Sequence, residues 1–203
     1  MLASSLRHLP ILLALAMYAP NPIAAQVASI AEQIKGAVLP LPPDQRATAT
    51  VLGFRTEGAL SVIREGSGDM TCLADAAGNE TYQVSCYHNS LEPMMTFGRD
   101  LSARGIVDPE RDRLRAAAAD DGSLPMPTSP AAFHSLTGPE ERWDPAAGTF
   151  TDARRLHTIY VPWATEESTG LSIEPGMSGQ PWLMYPGNYR AHVMIVPAGG
   201  GGR

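Results

Sequence analysis

The spacing of two cysteines limits the local folds open to this chain of 203 residues. Cys72 and Cys86 lie in the strand-like runs 70–73 and 81–87, and the segment between these runs is rich in turn residues. A hairpin centred near Asn79 would place the two cysteines directly opposite each other, at about 4.5–5.5 Å, which suits a disulfide. We predict that bond. The alternatives are two buried thiols or a reactive or metal-binding pair.

The first 25 residues have the organisation of a secretory signal peptide. A basic start at Arg7 is followed by a short apolar run, residues 9–18, then by prolines and by small residues ending at Ala25. The apolar run is about half of the ~20 residues that a membrane-spanning helix needs. We therefore predict cleavage after Ala25, export to the periplasm or the extracellular space, and no membrane span in the cleaved chain. An oxidising compartment also favours the disulfide.

Hairpin-spaced strand patterns predict an antiparallel sheet. Four short strands before residue 88 predict an N-terminal meander, and the last two strands predict a C-terminal hairpin with a Pro186-Gly187 turn. Residues 122–153 predict a long surface loop around one short strand. The predicted strands are residues 49–54, 59–65, 70–73, 81–87, 131–136, 156–163, 181–185 and 191–196.

Helical periodicity interrupts the strands in the middle of the chain. An apolar helical face and an Asp108-Pro109 helix start predict a central helical insertion over residues 91–120. A shorter apolar face with helical spacing, residues 27–34, precedes the first strand. Together these patterns predict a single secreted α+β domain over residues 26–198, followed by a disordered Gly-rich tail over residues 199–203.

Composition excludes several functional classes. The chain has 15 Lys and Arg against 21 Asp and Glu, a formal net charge of −6. A nucleic-acid partner is not expected, because proteins that bind nucleic acids present a clustered basic surface. Two cysteines alone do not form a zinc finger or an iron–sulfur cluster. The sequence indicates no cofactor, and it leaves the partner unknown.

Four histidines are the candidate metal ligands. His88, His134, His157 and His192 lie on different predicted strands, and imidazole is a common ligand of zinc and copper. No two of them have a local ligand spacing such as H-x-x-x-H, and a lone histidine of a sheet is more often simply hydrogen-bonded. We expect no metal by default, with His157 and His192 as the favoured pair if the function is metal-dependent.

Ser178 is the candidate nucleophile. The segment 176–181, Gly-Met-Ser-Gly-Gln-Pro, is similar to the nucleophile loop of chymotrypsin-like proteases, in which backbone N–H groups form an oxyanion hole. His134 or His88 would then supply the base. The predicted helices at 91–119 lie where that fold needs strands, so a glycine-rich turn is the simpler interpretation.

Aromatic residues near the C-terminal strands are the candidates for a ligand groove, since such residues are enriched in binding pockets. The alternative is that they form the core or the rim of the sheet. The candidates are Tyr160, Trp163, Trp182 and Tyr185.

The cysteine segment resembles a group of uncharacterised exported bacterial proteins. The shared residues are Arg64-Glu65-Gly66, Met70-Thr71-Cys72-Leu73 and Cys86-Tyr87, and the end at Ile195-Val196-Pro197 is similar too. The resemblance implies an exported domain with a paired-cysteine hairpin, and it implies no activity. We favour a non-enzymatic periplasmic or envelope domain that binds a ligand or a partner. The alternative is a secreted hydrolase or metalloenzyme that uses sheet histidines or Ser178.

Overall fold

The computed structural model describes residues 27–56, 58, 60–76, 78, 80–177 and 179–197. The predicted signal peptide, the Gly-rich tail and Ser178 therefore lie outside the described residues. Within these ranges, every helix is too short or too polar to cross a membrane.

Strands from both halves of the chain build a central sheet. The strands of the described residues are β1 (Thr50–Phe54), β2 (Leu60–Arg64), β3 (Met70–Leu73), β4 (Thr81–His88), β5 (Ala131–Pro139), β6 (Trp143–Asp144), β7 (Thr149–Phe150), β8 (Arg154–Tyr160), β9 (Trp182–Met184) and β10 (His192–Ile195). Eight of them form one sheet in the order β2-β1-β3-β4-β5-β8-β10-β9, and β6 pairs with β7 in a separate ribbon. Neighbouring strands are antiparallel except β1 and β3, which run parallel.

Helices flank this sheet, and two of them form an insertion between β4 and β5. The helices of the described residues are α1 (Ile30–Ala37), α2 (Pro43–Arg46), α3 (Glu92–Ala103), α4 (Glu110–Asp120) and α5 (Glu166–Thr169). Short 3₁₀ turns cover Asn89–Leu91 and Glu140–Arg142. The mostly antiparallel sheet and the central helices α3 and α4 confirm the α+β fold class and the helical insertion.

The order of the first strands differs from the predicted meander. β1 lies between β2 and β3, so β2 is an edge strand of the sheet. The connection from β2 to β3 crosses the start of β1, where the Gly66 amide donates to Thr50 Oγ1 and the Gly68 amide donates to Thr48 O. A Cβ atom at Gly66 would lie 2.3 Å from Thr48 O. The glycines that predicted a hairpin turn therefore permit a crossover instead.

Helix α1 packs with a face that overlaps only in part with the predicted apolar one, since Ile34 packs against the core. Ile30 and Ala31 are exposed, whereas Gln33 and Gly36 are buried. Gln33 faces inward because its amide pairs with the end of β1. Its Oε1 accepts from Phe54 N at 2.7 Å, and its Nε2 donates to Phe54 O at 2.8 Å. These bonds satisfy a polar side chain that burial would otherwise destabilise.

Three groups of buried side chains fill the space between the sheet and its covering segments. The first contains the cysteines: Ala37, Val38, Leu41, Ala49, Val51, Met70, Cys72, Ala74 and Cys86. The second involves α3 and α4: Tyr87, Leu91, Met94, Ala119, Leu124, Ala131 and Tyr189. The third comprises Leu39, Tyr82, Val84 and Leu136, with Trp143, Phe150 and Ala153 packed against it.

Candidate functional site

The predicted disulfide is present. Cys72 and Cys86 are directly opposed on β3 and β4, their Cα atoms are 4.0 Å apart, and their sulfur atoms are bonded. Both residues are fully buried in the core. The pair is therefore structural, since neither sulfur is a thiolate that could attack a substrate or bind a metal.

Two of the four candidate histidines meet in the centre of the sheet. His134 on β5 and His157 on β8 are directly opposed, and their Nδ1 atoms are 2.8 Å apart. Burial lowers the pKa of both imidazoles. The charge of His157 lowers the pKa of His134 further, and the charge of Arg155 does the same to His157. At this distance the two rings hydrogen-bond to each other: as neutral imidazoles, one donates its Nδ1–H and the other accepts at Nδ1.

The other two histidines make separate contacts. His88 accepts a hydrogen bond from Ser90 N at 3.2 Å and so caps the turn that follows β4. His192 is buried, and its Nδ1 lies 2.7 Å from Arg190 O. His157 pairs with Ile195 of β10, so these two side chains lie on the same face of the sheet. His192 is three residues away from Ile195 on the same strand and therefore points to the opposite face. The expected His157–His192 pair is therefore not formed. Among the described residues, no group of three or more His, Cys, Asp or Glu side chains is placed so that it could hold a metal ion.

The four candidate aromatic residues do not share one groove. Tyr160 and Tyr185 lie on either side of His192, with ring centroids at 5.1 and 5.6 Å from its ring. The predicted strand 156–163 ends at Tyr160, and Trp163 adopts a positive φ of 60° beside a different, open cavity of about 560 Å³. Trp182 is half-buried on the edge strand β9.

A cavity of about 440 Å³ lies between α1 and the β6–β7 ribbon. We call it the α1 cavity. Its walls come from the start of α1, the end of β1, the β3–β4 loop, β4 and the segment that leads into β6. The lining residues are Val27, Ala28, Glu32, Gln33, Phe54, Gly58, Asp75, Ala76, Tyr82, Glu140, Trp143 and Pro145.

Aromatic rings form one wall of the α1 cavity. Tyr82 lies on the inward face of β4, and its ring stacks on Trp143 with 5.1 Å between centroids. The ring also contacts Phe150 in a tilted arrangement, with 5.3 Å between centroids. A Cβ atom at Gly36 would lie 1.8 Å from the Tyr82 hydroxyl, so the absence of a side chain at Gly36 lets Tyr82 reach α1. Tyr82 is 4% exposed. Among the described residues no hydrogen bond engages its hydroxyl, which burial and two nearby carboxylates keep protonated by raising its pKa.

Three carboxyl groups supply the charge of the α1 cavity. Burial raises the pKa of Asp75 to about 6; the hydrogen bond that its Oδ1 accepts from Gln83 N at 2.6 Å opposes this, and the charge of Glu140 adds to it. Burial also raises the pKa of Glu140. Glu32 differs, because hydrogen bonds from Ser29 in the capping box of α1 lower its pKa.

The three carboxyl groups of the α1 cavity have no ion-pair partner among the described residues. The ion pairs found there involve other acidic side chains. No lysine or arginine lines the described part of the α1 cavity. The nearest cation that acts on Glu32 is Lys35, which is exposed on α1. The described lining of the α1 cavity is therefore apolar, aromatic and acidic, and it offers oxygen acceptors without a charged donor.

Sequence reasoning did not identify any residue of the α1 cavity as a candidate. Trp143 and Phe150 lie in the segment 122–153, which was predicted as a surface loop, and Tyr82 was predicted only as a strand residue. Trp143 and Phe150, the two aromatic residues of the otherwise polar or small-residue stretch 139–153, were the available signal. They indicate that part of this segment packs against the sheet, as the third core group does.

The α1 cavity has to be interpreted from its own chemistry. No known protein family, curated protein or solved structure matches this chain.

Proposed function

We propose that this protein is an exported, non-enzymatic domain that binds a small molecule in the α1 cavity. The observation that carries this proposal is the cavity itself, an apolar and aromatic space of about 440 Å³ with a few polar groups at its walls. Ligand pockets in proteins occupy about 300–1,000 Å³ and have the same mixture of apolar walls and sparse polar groups.

The chemistry of the lining favours binding over catalysis. The described residues that line the α1 cavity include no serine, threonine, cysteine, histidine or lysine. The described histidines lie elsewhere, and the two central ones, His134 and His157, hydrogen-bond to each other. A nucleophile paired with a base, which covalent catalysis requires, is therefore not part of this cavity.

Export is supported by the N-terminal pattern and by the disulfide, since such bonds persist in oxidising compartments. Expressed with its own leader in a Gram-negative host, the protein should appear in the periplasm with Gln26 at its N-terminus. Intact-mass measurement of the periplasmic and cytoplasmic fractions tests this. A cytoplasmic species that retains Met1 as the main product would contradict export.

Binding can be tested with a neutral aromatic probe, N-phenyl-1-naphthylamine, whose fluorescence rises in apolar surroundings. The wild-type protein should give a saturable signal. Ala28→Trp should abolish that signal, because Ala28 lines the α1 cavity and a tryptophan side chain would fill it.

Ala31→Trp is the matched control. Ala31 lies three residues further along the same segment, is exposed and does not line the cavity. This variant should bind the probe like the wild type. Absence of a saturable signal from the wild type, or equal binding by both variants, would overturn the proposal.

A further inference from the structure

We infer that the ligand of the α1 cavity is a primary ammonium cation with an aromatic or alkyl body. The inference rests on the proposed binding function and specifies its ligand class. It starts from the charges at the cavity wall. Glu32, Asp75 and Glu140 are the charged residues of the described lining, and all three are acids. An anionic ligand would meet like charge there, whereas a cation would supply the missing counter-charge.

The hydrogen-bonding groups point to the same class. Among the described residues, Asp75 uses one carboxylate oxygen for Gln83 N, and its other oxygen is available to a ligand there. The Tyr82 side chain is 4% exposed, and its hydroxyl makes no hydrogen bond among the described residues, although its oxygen can accept. A primary ammonium group carries three N–H donors, so it can serve several such acceptors at once.

The aromatic wall accommodates both parts of such a molecule. Tyr82 and Trp143 are stacked at 5.1 Å, and both line the cavity. Their rings attract a cation placed over a ring face, and they also bury the apolar body of the ligand. A small cation without an apolar body would leave most of the cavity unfilled.

Three probes with nearly the same body separate charge from shape: 2-phenylethylamine, 2-phenylethanol and 3-phenylpropanoate. Titration calorimetry at pH 7.5 should show that the amine binds at least about tenfold more tightly than the alcohol, as expected where a charge-assisted hydrogen bond replaces a neutral one. The carboxylate should show no binding.

Asp75→Asn should weaken binding of the amine by about tenfold and leave binding of the alcohol unchanged, because it removes the charge and retains the shape. Its fold is checked by unchanged binding of N-phenyl-1-naphthylamine. The matched control is Glu167→Gln, at an exposed carboxylate outside the cavity, which should leave all affinities unchanged.

The outcomes distinguish this inference from the proposed function. If the alcohol or the carboxylate binds as tightly as the amine, or only the naphthylamine binds, the ammonium inference is wrong while the binding function stands. If neither these probes nor the naphthylamine binds to the wild type, both are wrong. An Asp75→Asn variant that retains full preference for the amine would also overturn the inference.

Discussion

Asp75 shows how one residue can link the charge of the α1 cavity to stability. Its carboxyl group is partly buried and faces the Glu140 carboxyl group and the Tyr82 ring, while Gln83 N donates to it. Its pKa in the folded protein is about 6, against an ordinary value of 3.8. The folded state therefore binds the proton more tightly than the unfolded state does.

The raised pKa of Asp75 sets the sign of the pH dependence of stability. The contribution of Asp75 to stability is fully present below about pH 4 and is lost as the pH rises through about 6. Asp75→Asn keeps a neutral group at this position at every pH. The free energy of unfolding of the variant, relative to wild type, should rise between about pH 4 and pH 6.5 and then stay constant.

Urea denaturation of both proteins at several pH values measures this difference, with Glu167→Gln as the control for loss of one exposed acid. A constant difference across the range would contradict a raised pKa at Asp75.

The sequence around Asp75 could not reveal this environment. Aspartate before a glycine-containing turn is explained by turn chemistry alone. Glu140, whose charge acts on this carboxyl, and Trp143, which lines the same cavity, follow about 65 positions later in the chain. The cysteines were predictable because their partner strands are joined by a local hairpin. The cavity is formed by distant segments.

The contact between α1 and β4 depends on one glycine. Gly36 is buried in α1, and the Tyr82 hydroxyl occupies the space where a side chain would lie. A Cβ atom there would also lie 3.3 Å from Trp143 Cζ2. The helix therefore packs on the aromatic wall only because this position has no side chain.

Gly36→Ala should lower the free energy of unfolding by up to about 2 kcal/mol, because the usual cost of overpacking is about 1–3 kcal/mol. The gain in helix propensity, about 1 kcal/mol, offsets only part of this cost. The double variant Gly36→Ala/Tyr82→Phe should recover much of the loss, since it removes the oxygen that the new methyl group meets. Urea denaturation of the single and double variants measures the effect, and a Gly36→Ala variant as stable as wild type would show that the contact is easily relieved.

Helices and strands could be predicted from the sequence where the residues they pair with are close in the chain. The hairpins β3–β4 and β9–β10 and the helices α3 and α4 follow from turn residues and periodicity. The parallel pairing of β1 with β3 does not, because it depends on how closely the Gly66 backbone approaches β1. β5 extends to Pro139 and lies between β4 and β8, so its length reflects two long-range partners that a local pattern does not contain.

At the scale of the whole molecule, the disulfide joins two parts of the sheet. β3 is the last strand of the group β2-β1-β3, and β4 begins the group that continues to β9. Cys72 and Cys86 link these groups at their common boundary, inside the core that α1 covers. Breaking the bond therefore affects both the sheet and the packing of α1.

Removing the disulfide with Cys72→Ser/Cys86→Ser should lower the free energy of unfolding by about 3 kcal/mol, as expected for a closed loop of about fifteen residues. Reduction of the wild-type protein should have a similar effect, and it should leave the double variant unchanged. Thermal and urea denaturation measure both. Alkylation of two thiols in native, non-reduced protein would show that the bond is not formed.

The segment around α1 contacts parts of the chain that are synthesised much later. Arg155 Nη1 donates to Leu39 O across 116 positions, and Trp143 completes the wall opposite α1. A nascent or truncated chain that ends before β6 would contain both cysteines and could close the hairpin, but it would have no α1 cavity. Uptake of a ligand would therefore report that the chain has folded as far as β6, whereas formation of the disulfide would not.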